Sequence, residues 1–405
     1  MKPWKQLVIF HFVPIFLVVV CSVAGLFFFP QNRNLVNVKL PPKIPNYIDN
    51  FRNNPWYENE FLANKKNNAE IYILGSSELT GGTEATPYNF LSDHFQTKMT
   101  GVGHAGNQCF SIYSQLLANE KRLKKAHVVI VLSPGWFYGS SAKGTSSSLL
   151  LEYNSSAYLK KMYEYYWADK NQNYSDEGFG IYAAARVSEY FGDFVNPELT
   201  VKLMHFENES EKSFVHKIVY VPVRTFDDMI LRFNSELNMN SRNEHFPEWG
   251  LIEAENVRIN WDSLFRVSRE EHLQSSTNNP WYINNAYYDA YVKGKTSTIH
   301  LITEEHNQEL EDFRMLVKLL KAYECDASFI MMPLNPFFYS NLKDLDPLIK
   351  SIDDELKQND FPCLNMWCSD SATIDKALLT DVMHLSKYGW YKADQFIVET
   401  YHLIK

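Results

Sequence analysis

The chain has no basic run of useful length, and this excludes the simplest electrostatic footprint of a nucleic-acid binder. It carries 39 Lys and Arg against 48 Asp and Glu, a net charge of −9. No broad positive field would draw in a polyanion. Cysteine is scarce, with five in 405 residues. Only Cys363 and Cys368 lie close together, as C-x4-C, and no histidine or second pair stands at ligand spacing. Zinc is therefore not expected. Two readings of that pair stay open: a disulfide, if the domain faces an oxidising compartment, or two free thiols. Internal repeats and low-complexity tracts are absent, and no motif for a metal or organic cofactor stands out.

Long apolar runs are also lacking, with one exception. Between Lys5 and Arg33 the sequence QLVIFHFVPIFLVVVCSVAGLFFFPQN contains no Asp, Glu, Lys or Arg. As a helix, Leu7–Phe29 would reach about 34 Å, enough to cross a hydrocarbon core of roughly 30 Å. A cleaved signal peptide has a shorter apolar region and a small-residue cleavage site, and neither fits here. We read residues 1–30 as a retained transmembrane anchor and residues 31–68, rich in Pro and Asn, as a juxtamembrane linker. With no second apolar segment, nearly all of the chain lies on one side of the membrane. The flanking Lys and Arg residues are too evenly balanced to say which side.

Past the linker, strands and helices alternate. Glu70–Leu74 reads as a strand, Lys98–Gly103 as a weaker one, and residues 110–125 as a helix with a basic end. Val128–Leu132 is a continuous apolar, mostly β-branched run, as expected of a strand buried on both faces of a parallel sheet. Residues 140–303 read as a long, mostly helical insertion. Alternation then resumes with an amphipathic helix over residues 306–324, a strand from Asp326, and a stretch from Ala377 that runs through a loop into a closing helix. The pattern predicts an α/β domain over residues 69–405 with a mainly parallel sheet.

In such sheets reactive groups gather at the carboxyl ends of the strands. The first strand runs into Gly75-Ser76-Ser77-Glu78, and the second into Gly103-His104-Ala105-Gly106-Asn107. Near the far end of the chain, TDVMHLSKYGW sets Asp381 and His384 three residues apart, just before the last helix. A serine hydroxyl becomes a competent nucleophile when an imidazole removes its proton. The imidazole in turn needs a carboxylate to fix its tautomer. Each residue also suits a plainer duty: Ser77 as a helix cap with Glu78 in the first turn, His384 as a loop residue packed on the closing helix. Their placement in the chain is what favours chemistry.

That placement resembles the SGNH/GDSL hydrolase-like superfamily and, within it, the DltD family. The blocks that carry the resemblance are ILGSSEL (73–79), TPYNFL (86–91), GVGHAGNQ (101–108), VVIVLSPGWF (128–137), NNPWYINNAYYDAY (278–291), FIMMPLNPFFY (329–339) and DVMHLSKYGW (381–390). They occur in the family's order. The resemblance implies an SGNH-hydrolase-like three-layer domain, membrane-anchored and extracytoplasmic. It implies Ser77 as nucleophile, His384 as general base and Asp381 as the orienting carboxylate. The Ser77 N–H and a second donor from the stretch Gly103, Gly106 and Asn107 would form the oxyanion hole. It further implies transfer of D-alanyl groups to hydroxyls of an envelope polymer, usually teichoic acid, beside a membrane-bound O-acyltransferase of the DltB type. Two blocks depart from the family: Gly135 stands where a glutamine is common, and NPFF follows Pro333-Leu334 where a glycine-lysine is common. Oxidised cysteines would point to a periplasm and a lipopolysaccharide-type acceptor. Two other functions fit the same residues: an esterase or thioesterase that only hydrolyses, and a non-catalytic scaffold for the acyltransferase.

Overall fold

The computed structural model describes residues 70–80, 83–95, 97–103, 105–146, 150, 178–191 and 259–403, with Val13, Phe16, Lys43 and Ile44 besides. Nearly all of these belong to one compact unit, Leu40–Tyr190 with Phe246–Lys405; Val13, Phe16 and Phe191 belong to a second, Met1–Lys39 with Phe191–His245. The expected anchor, nearly all of the expected linker, His104 and most of the expected insertion lie outside the described residues. No helix among the described residues is long and apolar enough to cross a membrane.

The main unit is built on six parallel strands: β1 (Lys43–Ile44), β2 (Glu70–Gly75), β3 (Lys98–Gly103), β4 (His127–Leu132), β5 (Asp326–Met331) and β6 (Cys363–Asn365). Their order across the sheet is β1-β3-β2-β4-β5-β6. The helices are α1 (Pro87–His94), α2 (Cys109–Ala118), α3 (Phe179–Phe191), α4 (Trp261–Ser275), α5 (Gln308–Ala322), α6 (Asp346–Gln358) and α7 (Lys387–Tyr401). Side chains alternate between faces along a strand. Ile71, Ile73, Met99, Val129, Val131 and Ile330 share one face and pack under α1, α4 and α7. Ile130 and Phe329, paired across β4 and β5, point to the other face. There Phe313 of α5 meets Phe329 with ring centroids 6.3 Å apart, and α2 packs on α5. Helices on both faces explain why Val128 to Leu132 are all fully buried, as the unbroken apolar run of β4 predicts.

The structure adds to the expected elements at several points. β2 extends through Gly75, and the helix expected over 110–125 breaks at Asn119, whose side-chain amide donates to the Gln115 carbonyl. The segment read as linker supplies β1, which pairs Lys43 with Met99 and Ile44 with Thr100. α3 and α4 fall within the expected insertion. The four described cysteines are free thiols. Cys363 sits on β6, where burial, with Asp353 nearby, raises its thiol to about 12, and the Cys368 thiol lies 3.3 Å from Thr373 Oγ1.

Candidate active site

β2 and β4 are neighbours, yet the chain leaving β2 goes to β3 on one side and the chain leaving β4 goes to β5 on the other. Such a reversal opens a crevice at the strands' carboxyl ends. Ser77 stands there, opening a 3₁₀ turn, Ser77–Leu79, directly after β2. The turn is closed by the Leu79 N–H donating to Ser76 O and the Thr80 N–H to Ser77 O, both at 3.1 Å. Three neighbouring segments hold it in place. The Tyr88 hydroxyl of α1 donates to Leu79 O at 2.8 Å. The Gly106 N–H donates to Ser76 Oγ at 3.0 Å, and the Asn107 side-chain amide donates to Gly75 O at 2.8 Å. β3 ends against the turn so tightly that a Cβ on Gly103 would lie 2.9 Å from the carbonyl oxygens of Gly75 and Ser76. Only glycine permits that approach. Gly103, Gly106 and Asn107, expected to supply oxyanion donors, therefore stand beside the Ser77 turn and shape its backbone.

The other half of the site is the loop before α7. Leu379 and Leu385 form an antiparallel bridge, and the Thr380 N–H donates to His384 O at 2.9 Å, closing a tight loop. Inside it Asp381 Oδ1 accepts the backbone N–H groups of Met383 and His384, each at 2.8 Å. That fixes the carboxylate and leaves Oδ2 to meet His384 Nδ1 at 2.7 Å. The loop is seated by the Asn335 N–H donating to Val382 O at 3.0 Å and the Asn284 N–H donating to Thr380 O at 2.9 Å. Ser386 caps α7, accepting the Gly389 N–H and donating to Ala377 O.

Across the crevice, His384 Nε2 lies 3.1 Å from Ser77 Oγ. An ionised carboxylate can only accept, so the Nδ1 proton points to Asp381 and the Nε2 lone pair faces the serine hydroxyl. Asp381 is 13% and His384 32% exposed, so the ring keeps an open edge. Burial by itself lowers the His384 pKa, but the hydrogen bond and charge of Asp381, with the charge of Glu78, carry it above the ordinary histidine value. Burial raises the Tyr287 and Tyr339 phenols first; the Asp381 charge adds to it at Tyr287, and Tyr138 ahead of Asp381 at Tyr339. Among the described residues no cluster of three or more His, Cys, Asp or Glu could hold a metal ion.

The structure thus brings together Ser77, His384 and Asp381, the three residues named from sequence. It also gives four further residues a place at the site, Glu78 among them, which the sequence offered only as a first-turn helix residue. Glu78 turns inward beneath the serine, Ser133 bonds it from the end of β4, and Asn284 and Asn335 seat the histidine loop. The aromatic run 281–291, already conspicuous in the sequence, was the available signal for Tyr287.

The structure is a parallel α/β domain that sets a serine, a histidine and an aspartate within hydrogen-bonding reach at the strand ends. The profile of the family described as DltD protein matches residues 47–402. Protein DltD of Staphylococcus aureus (strain NCTC 8325 / PS 47) is 21% identical over 340 residues, covering 81% of this chain and 80% of that protein. Protein DltD of Bacillus subtilis (strain 168) is 21% identical over 361 residues, covering 81% of each. The chain belongs to the DltD family.

Proposed function

We propose that this chain is a membrane-anchored, extracytoplasmic acyltransferase that passes D-alanyl groups to an envelope polymer through an ester on Ser77. The observation that carries the reading is the line Asp381 Oδ2 to His384 Nδ1, 2.7 Å, and His384 Nε2 to Ser77 Oγ, 3.1 Å. Ser77 Oγ attacks the carbonyl carbon of an activated D-alanyl donor while its proton passes to His384 Nε2. As the carbonyl is restored, the bond to the carrier breaks and His384 gives that proton to the leaving group. An acceptor hydroxyl then loses its proton to His384 and attacks the ester, and the proton returns to Ser77 Oγ. Asp381 stabilises the imidazolium at each stage and is never protonated itself. The Ser77 N–H is one donor for the developing oxyanion; the Gly106 N–H, which donates to Ser76 Oγ at 3.0 Å, would have to turn from it to serve as the second. Loss of one such donor costs about 3–4 kcal/mol in barrier height.

The family, together with the apolar run 7–29, supports an SGNH-like domain tethered by one helix. It also supports a membrane-bound O-acyltransferase of the DltB type as partner. Teichoic acid is the acceptor we favour over a lipopolysaccharide-type glycan, because it is the acceptor that membership of the family implies. Water could also take the acyl group, which would make the protein an esterase. Intact-protein mass spectrometry of the full chain with an activated D-alanyl ester tests the reading. We expect a Ser77-linked alanyl adduct that disappears when acceptor is added, and none in Ser77→Ala. An adduct discharged equally fast without acceptor would make it a hydrolase. No adduct under any condition would leave the scaffold role.

A further inference from the structure

Glu78 follows the nucleophile directly, and its side chain turns into the protein until only 3% of the residue is exposed. A carboxyl group in such a place is costly unless its oxygens are satisfied. Here Oε2 accepts the Ser76 N–H at 3.0 Å. Glu78's own N–H and the Ser133 hydroxyl supply further hydrogen bonds that favour the ionised form. Backbone N–H groups can only donate, so the shell around Glu78 suits a carboxylate, although burial pushes its pKa up.

The same charge is felt by His384. The imidazole therefore feels two carboxylates, Asp381 in direct contact at 2.7 Å and Glu78 from the turn that carries Ser77. The Asp381 charge also reaches Tyr287 in the 281–291 segment and Tyr339 in the loop after β5. Asp381 fixes the ring by direct contact, whereas Glu78 bonds the backbone one residue before the nucleophile.

We propose, on the reading of Ser77 and His384 as nucleophile and base, that Glu78 is a positioning residue: its carboxylate locks the Ser76–Ser77 turn and helps hold the positive charge that His384 gains on taking the Ser77 proton. The proton moves from Ser77 Oγ to Nε2, and the resulting imidazolium is stabilised by two anions. Removing one of them makes the ring harder to protonate, so the His384 midpoint falls.

The test reads that midpoint without needing catalysis. Diethyl pyrocarbonate modifies neutral imidazole, and peptide mass spectrometry follows its reaction at His384 across pH in the full chain. In Glu78→Gln, which keeps an acceptor for the Ser76 N–H, we expect the midpoint to fall by about one pH unit. Labelling of Ser77 by a fluorophosphonate should drop by about tenfold. In Glu78→Asp, which keeps the charge, the midpoint should stay near wild type. Where Glu78→Gln does not accumulate folded, Ser133→Ala serves instead. It removes a bond that favours ionised Glu78 and should move the His384 midpoint in the same downward direction. An unchanged midpoint in the folded variant overturns the proposal, whether or not Ser77 labels. Failure of wild-type Ser77 to label is a separate result and counts against the catalytic reading alone.

Discussion

Two regions of this domain bury carboxylates beside cationic groups, and they do so to different ends. Under α2, α3 and α5, Asp312 is fully buried and accepts Arg186 through both oxygens, Nε to Oδ1 at 2.8 Å and Nη2 to Oδ2 at 2.9 Å. The Tyr182 hydroxyl adds a bond at 2.6 Å. Glu309, also fully buried, takes the Cys109 N–H at the start of α2, and burial with Asp312 beside it pushes its pKa well above the carboxylate range. Every polar group on Asp312 is already bonded, and the Arg186 side chain is only 5% exposed. At the strand ends, by contrast, the carboxylate of Asp381 is equally well bonded but its histidine keeps an open edge beside Ser77. A closed ion pair holds helices together; a carboxylate–imidazole pair with one free side can move a proton.

Breaking each pair should therefore injure different properties. The largest effect is expected from Asp381→Asn, which keeps the shape of the loop but presents the wrong hydrogen-bonding partner to Nδ1. Ser77 acylation should fall about 10⁴-fold, as when the carboxylate of a catalytic triad becomes an amide, with the urea midpoint little changed. A loss of stability with full acylation would reverse the assignment of the two regions. Next is Asp312→Ala, which leaves Arg186 in a buried position without its main partner. We expect a loss of about 3–5 kcal/mol in urea unfolding, with acylation per folded molecule retained. A cost below about 1 kcal/mol would place this pair with ordinary surface bridges.

The pH profile sharpens the comparison further. His384 must be neutral to accept the serine proton, and its pKa lies above the ordinary histidine value of about 6.5. Acylation should rise with pH through that elevated midpoint and fall about tenfold for each unit below it. A profile flat from pH 5 to 8 would show that no imidazole limits the step. The smallest effect is Ser386→Ala, which removes the cap of α7 and should cost about 1 kcal/mol. It should alter Ser77 labelling only slightly, since Asp381 and His384 are bonded within their own loop.

The sequence made the centre of the sheet readable and its edges obscure. β4 is β-branched from Val128 to Val131 and buried there on both faces, so its pattern follows directly from its surroundings. β6 has three residues, partly exposed, and β1 has two; segments so short carry no period. α6 has Leu348, Ile349, Ile352 and Leu356 on one buried stripe, a helical signal within reach of sequence reading. The site divides in the same way. Asp381 and His384 interact three residues apart, so their spacing alone suggests the pair. Ser77 joins them across 307 positions, which only the parallel order of the strands makes intelligible. Glu78 depends on Ser133 from another strand, and nothing local distinguishes it from a first-turn glutamate of a helix.

The central claim is that the His384 imidazole activates the Ser77 hydroxyl. Fluorophosphonate labelling of the full chain, located by peptide mass spectrometry, tests it most directly. The account predicts a single labelled residue, Ser77, in the wild type and none in Ser77→Ala or His384→Ala. Equal labelling of wild type and His384→Ala, or no labelling of Ser77 in the wild type, would contradict it.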